Sequence, residues 1–314
     1  MISVLKKIQI ISLVALVGFG VGSSFGEISL KPANSKQYVL SSYSRRHNWT
    51  HSPQGQAQSA ITVTKTSLPD NIQESNNWAG YVVTPTSSNA YTSVSGSWTV
   101  PNVSASKKNA VAAQWIGLGG VSSEDLLQMG TVEEIENGQP VAEVFWEKLP
   151  DVAQDVMSVP IGSTINVSIS NSSDSTWSLT FTANTPDGKT ETQTVSTTLD
   201  SSYAQGIGTS AEWISEDPSD ANSKLVPLAN MGTVKYQSAM VNGGALNAPG
   251  NNVQPVAMVS SNGNSIMISP SELGSDGKSF STTTITTTNS TSGREIRGIP
   301  EPIQIRIKVY FPWN

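Results

Sequence analysis

From Asn77 onward the chain alternates apolar and polar positions in short runs separated by turn-forming residues. In Thr164–Ser170, Ile165, Val167 and Ile169 point one way and the polar residues the other. That period of two specifies a half-buried strand. The same reading predicts strands at 78–83, 91–100, 110–118, 126–135, 141–149, 164–170, 176–183, 189–197, 210–215, 224–234, 253–260, 264–268 and 280–288. Asn137-Gly138, Asp187-Gly188 and Asn262-Gly263 mark tight turns, because these residues tolerate positive φ. No window carries a long amphipathic helix. Strands of this number, with Thr/Ser-rich outer faces, predict an all-β fold, a β-sandwich of two sheets. After a polar break at 287–302, Ile303, Ile305, Ile307 and Val309 alternate again, which predicts a further strand ended by Pro312.

The first residues break this pattern. Lys6 and Lys7 precede an uncharged, mostly apolar run from Ile8 to Val21, and Gly22-Ser23-Ser24 supplies small residues for cleavage. This is the layout of a secretory signal. The run of about 14 residues is short for a membrane span. Residues 1–26 are therefore read as a signal peptide, and the protein as secreted and extracellular. Residues 27–72 are rich in Ser, Gln, Asn and basic residues, with a sustained period only near 60–66, and read as a pro-segment or linker. Residues 73–288 form the β-sandwich body. Residues 289–314 form a C-terminal extension carrying the added strand.

Charge sharpens the division. From residue 71 to the end there are 11 Lys/Arg against 22 Asp/Glu, whereas 27–70 carries five Lys/Arg against Glu27 and Asp70. An acidic body excludes a nucleic-acid partner, and no membrane partner is expected once the signal is removed. A basic segment ahead of an acidic body suggests an inhibitory cover, held at neutral pH and released when carboxylates protonate. Only 13% of the chain is charged, so protonation in acid removes few ion pairs. Sequons at Asn48, Asn102, Asn166, Asn171 and Asn289 permit glycosylation where a host performs it. The chain is expected to act as a monomer.

The chain has no cysteine, and both histidines, His47 and His51, precede the body. A Ser-His triad, a Cys-His pair and a His-ligated zinc site are thus unavailable in the body. Hydrolysis there would rest on carboxylates. Glu212 lies in the apolar run Ala211-Glu212-Trp213-Ile214, where aromatic surroundings would raise its pKa. A strand Glu can equally face solvent. Gln128, between Leu126-Leu127 and Met129-Gly130, is either a buried amide satisfied by backbone or a donor to a developing oxyanion.

Six blocks in order resemble the glutamic peptidases, the eqolisin family. They are Asn76-Asn77-Trp78-Ala79-Gly80-Tyr81-Val82, Ser97-Trp98-Thr99-Val100-Pro101-Asn102-Val103, Gln114-Trp115-Ile116-Gly117-Leu118-Gly119-Gly120, Leu127-Gln128-Met129-Gly130, Val144-Phe145-Trp146-Glu147-Lys148-Leu149-Pro150 and Ala211-Glu212-Trp213-Ile214-Ser215-Glu216-Asp217. The resemblance implies two antiparallel sheets of about seven strands, concanavalin-like, with the site on a concave face. It implies acid endopeptidase activity on polypeptide substrates with no metal or other cofactor, and with Glu212 as general base and then acid. Gln128 would orient the water and stabilise the oxyanion. Trp115 would line the site, Glu143 and Glu147 would form a supporting carboxylate pair, and Trp78 and Trp213 would stand beside them. The fungal members carry disulfides, so the cysteine-free chain resembles prokaryotic members. Gly119 stands where the fungal members have an aspartate, and Pro218 replaces an aromatic.

Two other readings use the same residues. Trp78, Trp98, Trp115, Trp146 and Trp213 on a sandwich could stack on sugars in a carbohydrate-binding, lectin-like module. Glu212 with Glu143 or Glu147 could flank a glycosidic bond. The paired contexts of Gln128 and Glu212 favour the peptidase. Neither Asp-Thr-Gly nor Asp-Ser-Gly occurs, which disfavours an aspartic peptidase.

Overall fold

The computed structural model describes residues 49–55, 68–87, 91–220 and 222–285. The signal peptide, most of the pro-segment and the C-terminal extension with its added strand lie outside the described residues.

The chain forms fifteen strands and one short helix among the described residues: β1 (Gln73–Ser75), β2 (Trp78–Pro85), β3 (Ser93–Thr99), β4 (Val111–Gly119), β5 (Leu126–Glu136), β6 (Gln139–Lys148), β7 (Gln154–Val159), β8 (Thr164–Ser173), β9 (Thr176–Asn184), β10 (Thr190–Thr198), α1 (Ser201–Ile207), β11 (Ala211–Glu216), β12 (Thr233–Val241), β13 (Asn251–Val259), β14 (Ile266–Pro270) and β15 (Phe280–Thr284). Fourteen strands follow one hydrogen-bonded path, β10-β9-β8-β3-β12-β15-β14-β13-β2-β11-β4-β5-β6-β7. All its pairings are antiparallel, while β1 adds to β13 in parallel.

Alternation decides what each strand buries. Ile165, Val167 and Ile169 of β8 and Leu179 and Phe181 of β9 share one apolar core with Ile116, Leu118, Met129 and Trp213 from β4, β5 and β11. The opposite face of β8, β9 and β10 is a ladder of hydroxyls, with Thr180 Oγ1 3.0 Å from Thr194 Oγ1 and Thr182 Oγ1 2.9 Å from Thr192 Oγ1. The Asn137-Gly138 turn takes φ of 50° and 79°, as the β5–β6 hairpin requires.

The expected strand at 224–234 is the main miss. Pro227 has no N–H to give a ladder. Leu225, Leu228 and Asn230 make isolated bridges instead. The strand comes later, as β12, and a bulge hides it from a period-two reading. Val234 and Tyr236 point inward, Ser238 turns to φ 51°, and the inward positions resume at Ala239 and Val241. The β12 ladder changes partner at that bulge, from β15 to β3.

The strands of the candidate site are buried on both sides. All six residues of β11 are buried, as are all nine of β4. Beyond the main core, a second apolar cluster lies on the other face of β2, β11, β4, β5 and β6. It includes Trp78, Val82, Ala113, Trp115, Leu126, Phe145 and Ile214. Trp49 belongs to it as well.

Candidate active site

Strand register assembles the site. Across the sheet, Glu212 of β11 stands opposite Gly117 of β4, Gly117 opposite Gln128 of β5, and Gln128 opposite Glu147 of β6. Residues in one register row share a face, so the three side chains project together on the second-cluster side. Gly117 puts no side chain of its own between Glu212 and Gln128, whose Cα atoms are two strand spacings, roughly 9–10 Å, apart. A Cβ on residue 117 would lie 3.0 Å from Trp115 Cζ3 and 3.1 Å from Leu126 Cδ1, so the glycine also fits a crowded wall.

Glu212 and Gln128 are fully buried. Among the described residues neither carboxylate oxygen of Glu212 meets a hydrogen-bond partner, and Gln128 Oε1 meets none. Burial holds the Glu212 carboxyl well above its usual pKa; the Ser210 hydroxyl nearby opposes that rise without reaching either oxygen in hydrogen-bond geometry. Gln128 Nε2 donates to Glu147 Oε2 at 2.7 Å. Burial pushes Glu147 up to about 7; His51 and this hydrogen bond pull it down, and Glu216 pushes it up.

Four residues further along β11, on the same face, Glu216 forms a second focus. Trp115 Nε1 donates to its Oε2 at 2.7 Å, and the Trp115 ring meets Trp78 edge-on with centroids 4.9 Å apart. Asp217, beside it, is pushed up to about 8, chiefly by burial and then by the Glu216 charge.

Residues 49–55, from the segment read as a pro-segment, lie on this same face. His51 stacks on Phe145 with centroids 4.0 Å apart, and its Nδ1 is 2.6 Å from Glu216 Oε2. Trp49 Nε1 donates to Glu134, Thr50 exchanges backbone hydrogen bonds with Ser219, and Trp78 Nε1 donates to the Ser52 carbonyl. Gln54 N–H reaches the Gly120 carbonyl in the β4–β5 turn. Trp49 and His51 are buried at 4% and 3% exposure, whereas Thr50 and Ser52 to Gly55 are half-buried, so the strap is anchored by its two aromatic side chains. The sequence correctly leaves the body without imidazole, yet the fold places one on it. The signal was the aromatic pair Trp49 and His51 within an otherwise polar segment.

The expected site residues fall into two groups. Glu212, Gln128, Glu147, Trp115 and Trp78 come together on one face. Glu143 shares that face but lies four residues, roughly 13 Å, along β6 from Glu147, near Ser158. Trp213 points to the opposite face, into the main core, where its Nε1 donates to the Ser95 carbonyl at 2.8 Å. It packs behind the site because neighbouring strand residues alternate faces. Gly119 takes φ 92°, and a Cβ there would lie 2.1 Å from the Asp125 carbonyl oxygen, which explains why no side chain stands at that position. Among the described residues no group of His, Asp and Glu has the arrangement to hold a metal ion.

Residues 76–284, two thirds of the chain, match the Peptidase A4 family. The chain belongs to that family. It is thus a peptidase, a hydrolase, and the resemblance to the glutamic peptidases read from six sequence blocks is borne out. Aspergillopepsin-2 of Aspergillus niger is 31% identical over 196 residues, covering 55% of this chain and 67% of that protein. Scytalido-glutamic peptidase, solved with a transition state analog inhibitor, superposes with a TM-score of 0.54 at 22% identity, covering 67% of this chain and 98% of its own. SCP-B, a member of the eqolisin family solved with the tripeptide Ala-Ile-His, gives a TM-score of 0.51 at 20% identity over the same shares. These two likenesses concern the fold. No described helix of this peptidase is long and apolar enough to cross a membrane.

Proposed function

We propose that this A4 peptidase is a secreted acid endopeptidase working through Glu212 and Gln128. The row Glu212–Gly117–Gln128 carries the reading: a buried carboxyl and a buried amide flank one glycine on the same face, with three oxygens left without partners among the described residues. Once the face opens, ionised Glu212 takes a proton from a water held between the two side chains. The water oxygen attacks the scissile carbonyl, and Gln128 Nε2 donates to the resulting oxyanion. Glu212 then gives its proton to the amide nitrogen, and the C–N bond breaks. An oxyanion donor of this kind is worth about 3–4 kcal/mol. Opening the face to water would bring the Glu212 carboxyl down from its raised state toward an acid working range.

The same reading makes residues 1–26 the signal peptide, 27–72 a pro-segment that inhibits in the intact chain, and 289–314 an extension to the 73–288 body. The strap at 49–55, seated on the catalytic face, supports the inhibitory role. The body is read as a concanavalin-like sandwich of two sheets of about seven strands, and the protein as a monomer. Shared burial of β8–β9 and β4–β5 side chains in one core supports the sandwich.

The test is cleavage of a denatured protein from acid to neutral pH by wild type, Glu212→Gln and Gln128→Ala, with pepstatin and a chelator as controls. The expected result is acid-only cleavage that resists both inhibitors and falls at least 10²-fold in each variant. Full activity in either variant would overturn the assignment.

A further inference from the structure

The Glu/Gln pair contains one titrating group. Gln128 has no proton to lose in the working range, and Glu212 must be ionised to act as base. By itself the pair therefore accounts for activity that rises with pH and not for a fall on the alkaline side. The structure offers a second group in direct contact with the pair. Glu147 is 1% exposed, faces Gln128 across the β5–β6 ladder, and takes the Gln128 Nε2 hydrogen at 2.7 Å. The other end of that amide, Oε1, is buried without a partner.

An ionised carboxylate only accepts hydrogen bonds, whereas a protonated one also donates. Ionised Glu147 can hold Gln128 only by its Nε2, the atom that an oxyanion needs. Protonated Glu147 can donate its O–H to Oε1, so that a half-turn of the amide frees Nε2. We propose that Glu147 is the positioning residue that turns Gln128: with its proton it presents Nε2 to the oxyanion, and without it it withdraws that nitrogen. This inference rests on the Glu212/Gln128 reading above and adds the group that sets the alkaline limit of activity.

The surroundings of Glu147 favour a proton at acid pH. On the strap, His51 faces it and opposes protonation; Glu216 of β11 and Asp151 of the β6–β7 turn favour it. Lys148, next in sequence, is engaged elsewhere, 3.3 Å from Asp151 and over the Tyr203 ring of α1. With the strap seated, burial outweighs these and pushes Glu147 up to about 7; opening the face to water brings it down, as it does Glu212, while loss of His51 opposes that fall.

The experiment measures kcat and KM against pH for the full chain after acid activation, in wild type and in Glu147→Gln, Glu147→Ala, Gln128→Ala and Glu212→Gln. Glutamine at 147 donates to Oε1 at every pH, so Glu147→Gln should move the alkaline fall in kcat up by a pH unit or more and leave the acid limb in place. Glu147→Ala should lower kcat by ~10–100-fold, short of losing the donor outright, with KM within about twofold. A second readout needs no change at 147. In uniformly 15N-labelled Glu212→Gln protein, the Gln128 side-chain amide signal should move with pH through the Glu147 titration. A Glu147→Gln profile superimposable on wild type, or a pH-independent Gln128 amide signal, overturns the role of Glu147 even where Gln128→Ala and Glu212→Gln are inactive. Full activity in Gln128→Ala overturns the underlying pair and this proposal with it.

Discussion

Glu133 makes stability a test of the interior. It lies on the core side of β5, fully buried, and neither carboxyl oxygen has a hydrogen-bond partner of ordinary geometry. Burial pushes it up to about 8 from 4.5, opposed by the Thr131 and Gln114 side chains nearby. Below pH 4.5 folded and unfolded chains both hold the proton, and the group contributes nothing to pH dependence. Between 4.5 and 8 the unfolded chain releases the proton while the folded chain keeps it, so stability falls as pH rises, by about 1.4 kcal/mol per unit. The loss is about 3 kcal/mol at pH 7 and about 5 kcal/mol above pH 8. Glu133→Gln keeps the shape of the protonated acid and cannot ionise. Urea unfolding of the variant in a Gln128→Ala background, which the proposed dyad predicts to be free of self-digestion, should therefore show little change at pH 4 and a gain of about 3 kcal/mol at pH 7. Equal effects at the two pH values, or no gain at pH 7, would refute a neutral buried Glu133. Asp217, raised to about 8 on the other face, adds a loss of the same sign, so the fold should be more stable in acid than at neutrality.

Three further outcomes follow from the site. Gly117→Ala puts a methyl between Glu212 and Gln128, against Trp115 and Leu126, and cleavage should fall ~100-fold or more while the urea midpoint drops by the equivalent of about 1–3 kcal/mol. His51→Ala removes the imidazole between Phe145 and Glu216, and limited proteolysis should cut the strap at neutral pH, where the wild-type strap resists. Gly130→Ala drives a Cβ to 2.1 Å from the Gln114 carbonyl oxygen and 2.4 Å from Trp115 Cβ, and soluble yield or thermal midpoint should collapse without any change in the chemistry of the site.

The sequence made the strands legible wherever apolar residues alternate without interruption, as in β8 with Ile165, Val167 and Ile169. It hid β12, because the bulge at Ser238 shifts the period, and β7, because in the edge strand Gln154–Val159 Val156 and Met157 are adjacent and break the alternation. It also gave no notice of α1, whose N-cap Asp200 accepts from Tyr203 N–H. Motif context drew attention to Gln128 and Glu212, but only register shows that Gly117 separates them and that Glu147 is next in the row. Trp213 looked equivalent to Trp115 in the motifs, and a one-residue difference in strand phase sends it into the core. The strap was least legible, since a basic polar segment gives no period from which to infer that Trp49 and His51 dock.

The hydroxyl ladder on β8, β9 and β10 has a consequence for behaviour in bulk solution. Many proteins stay dispersed because like charges repel, and they precipitate where acid brings net charge to zero. Threonine and serine hydroxyls bind water equally well on either side of that point, since they neither gain nor lose a proton across the acid range. A broad face hydrated in this way gives copies of the chain a wet, uncharged coat whose strength does not vary with acidity. The protein is thereby expected to pass through its isoelectric point in solution and not as a precipitate.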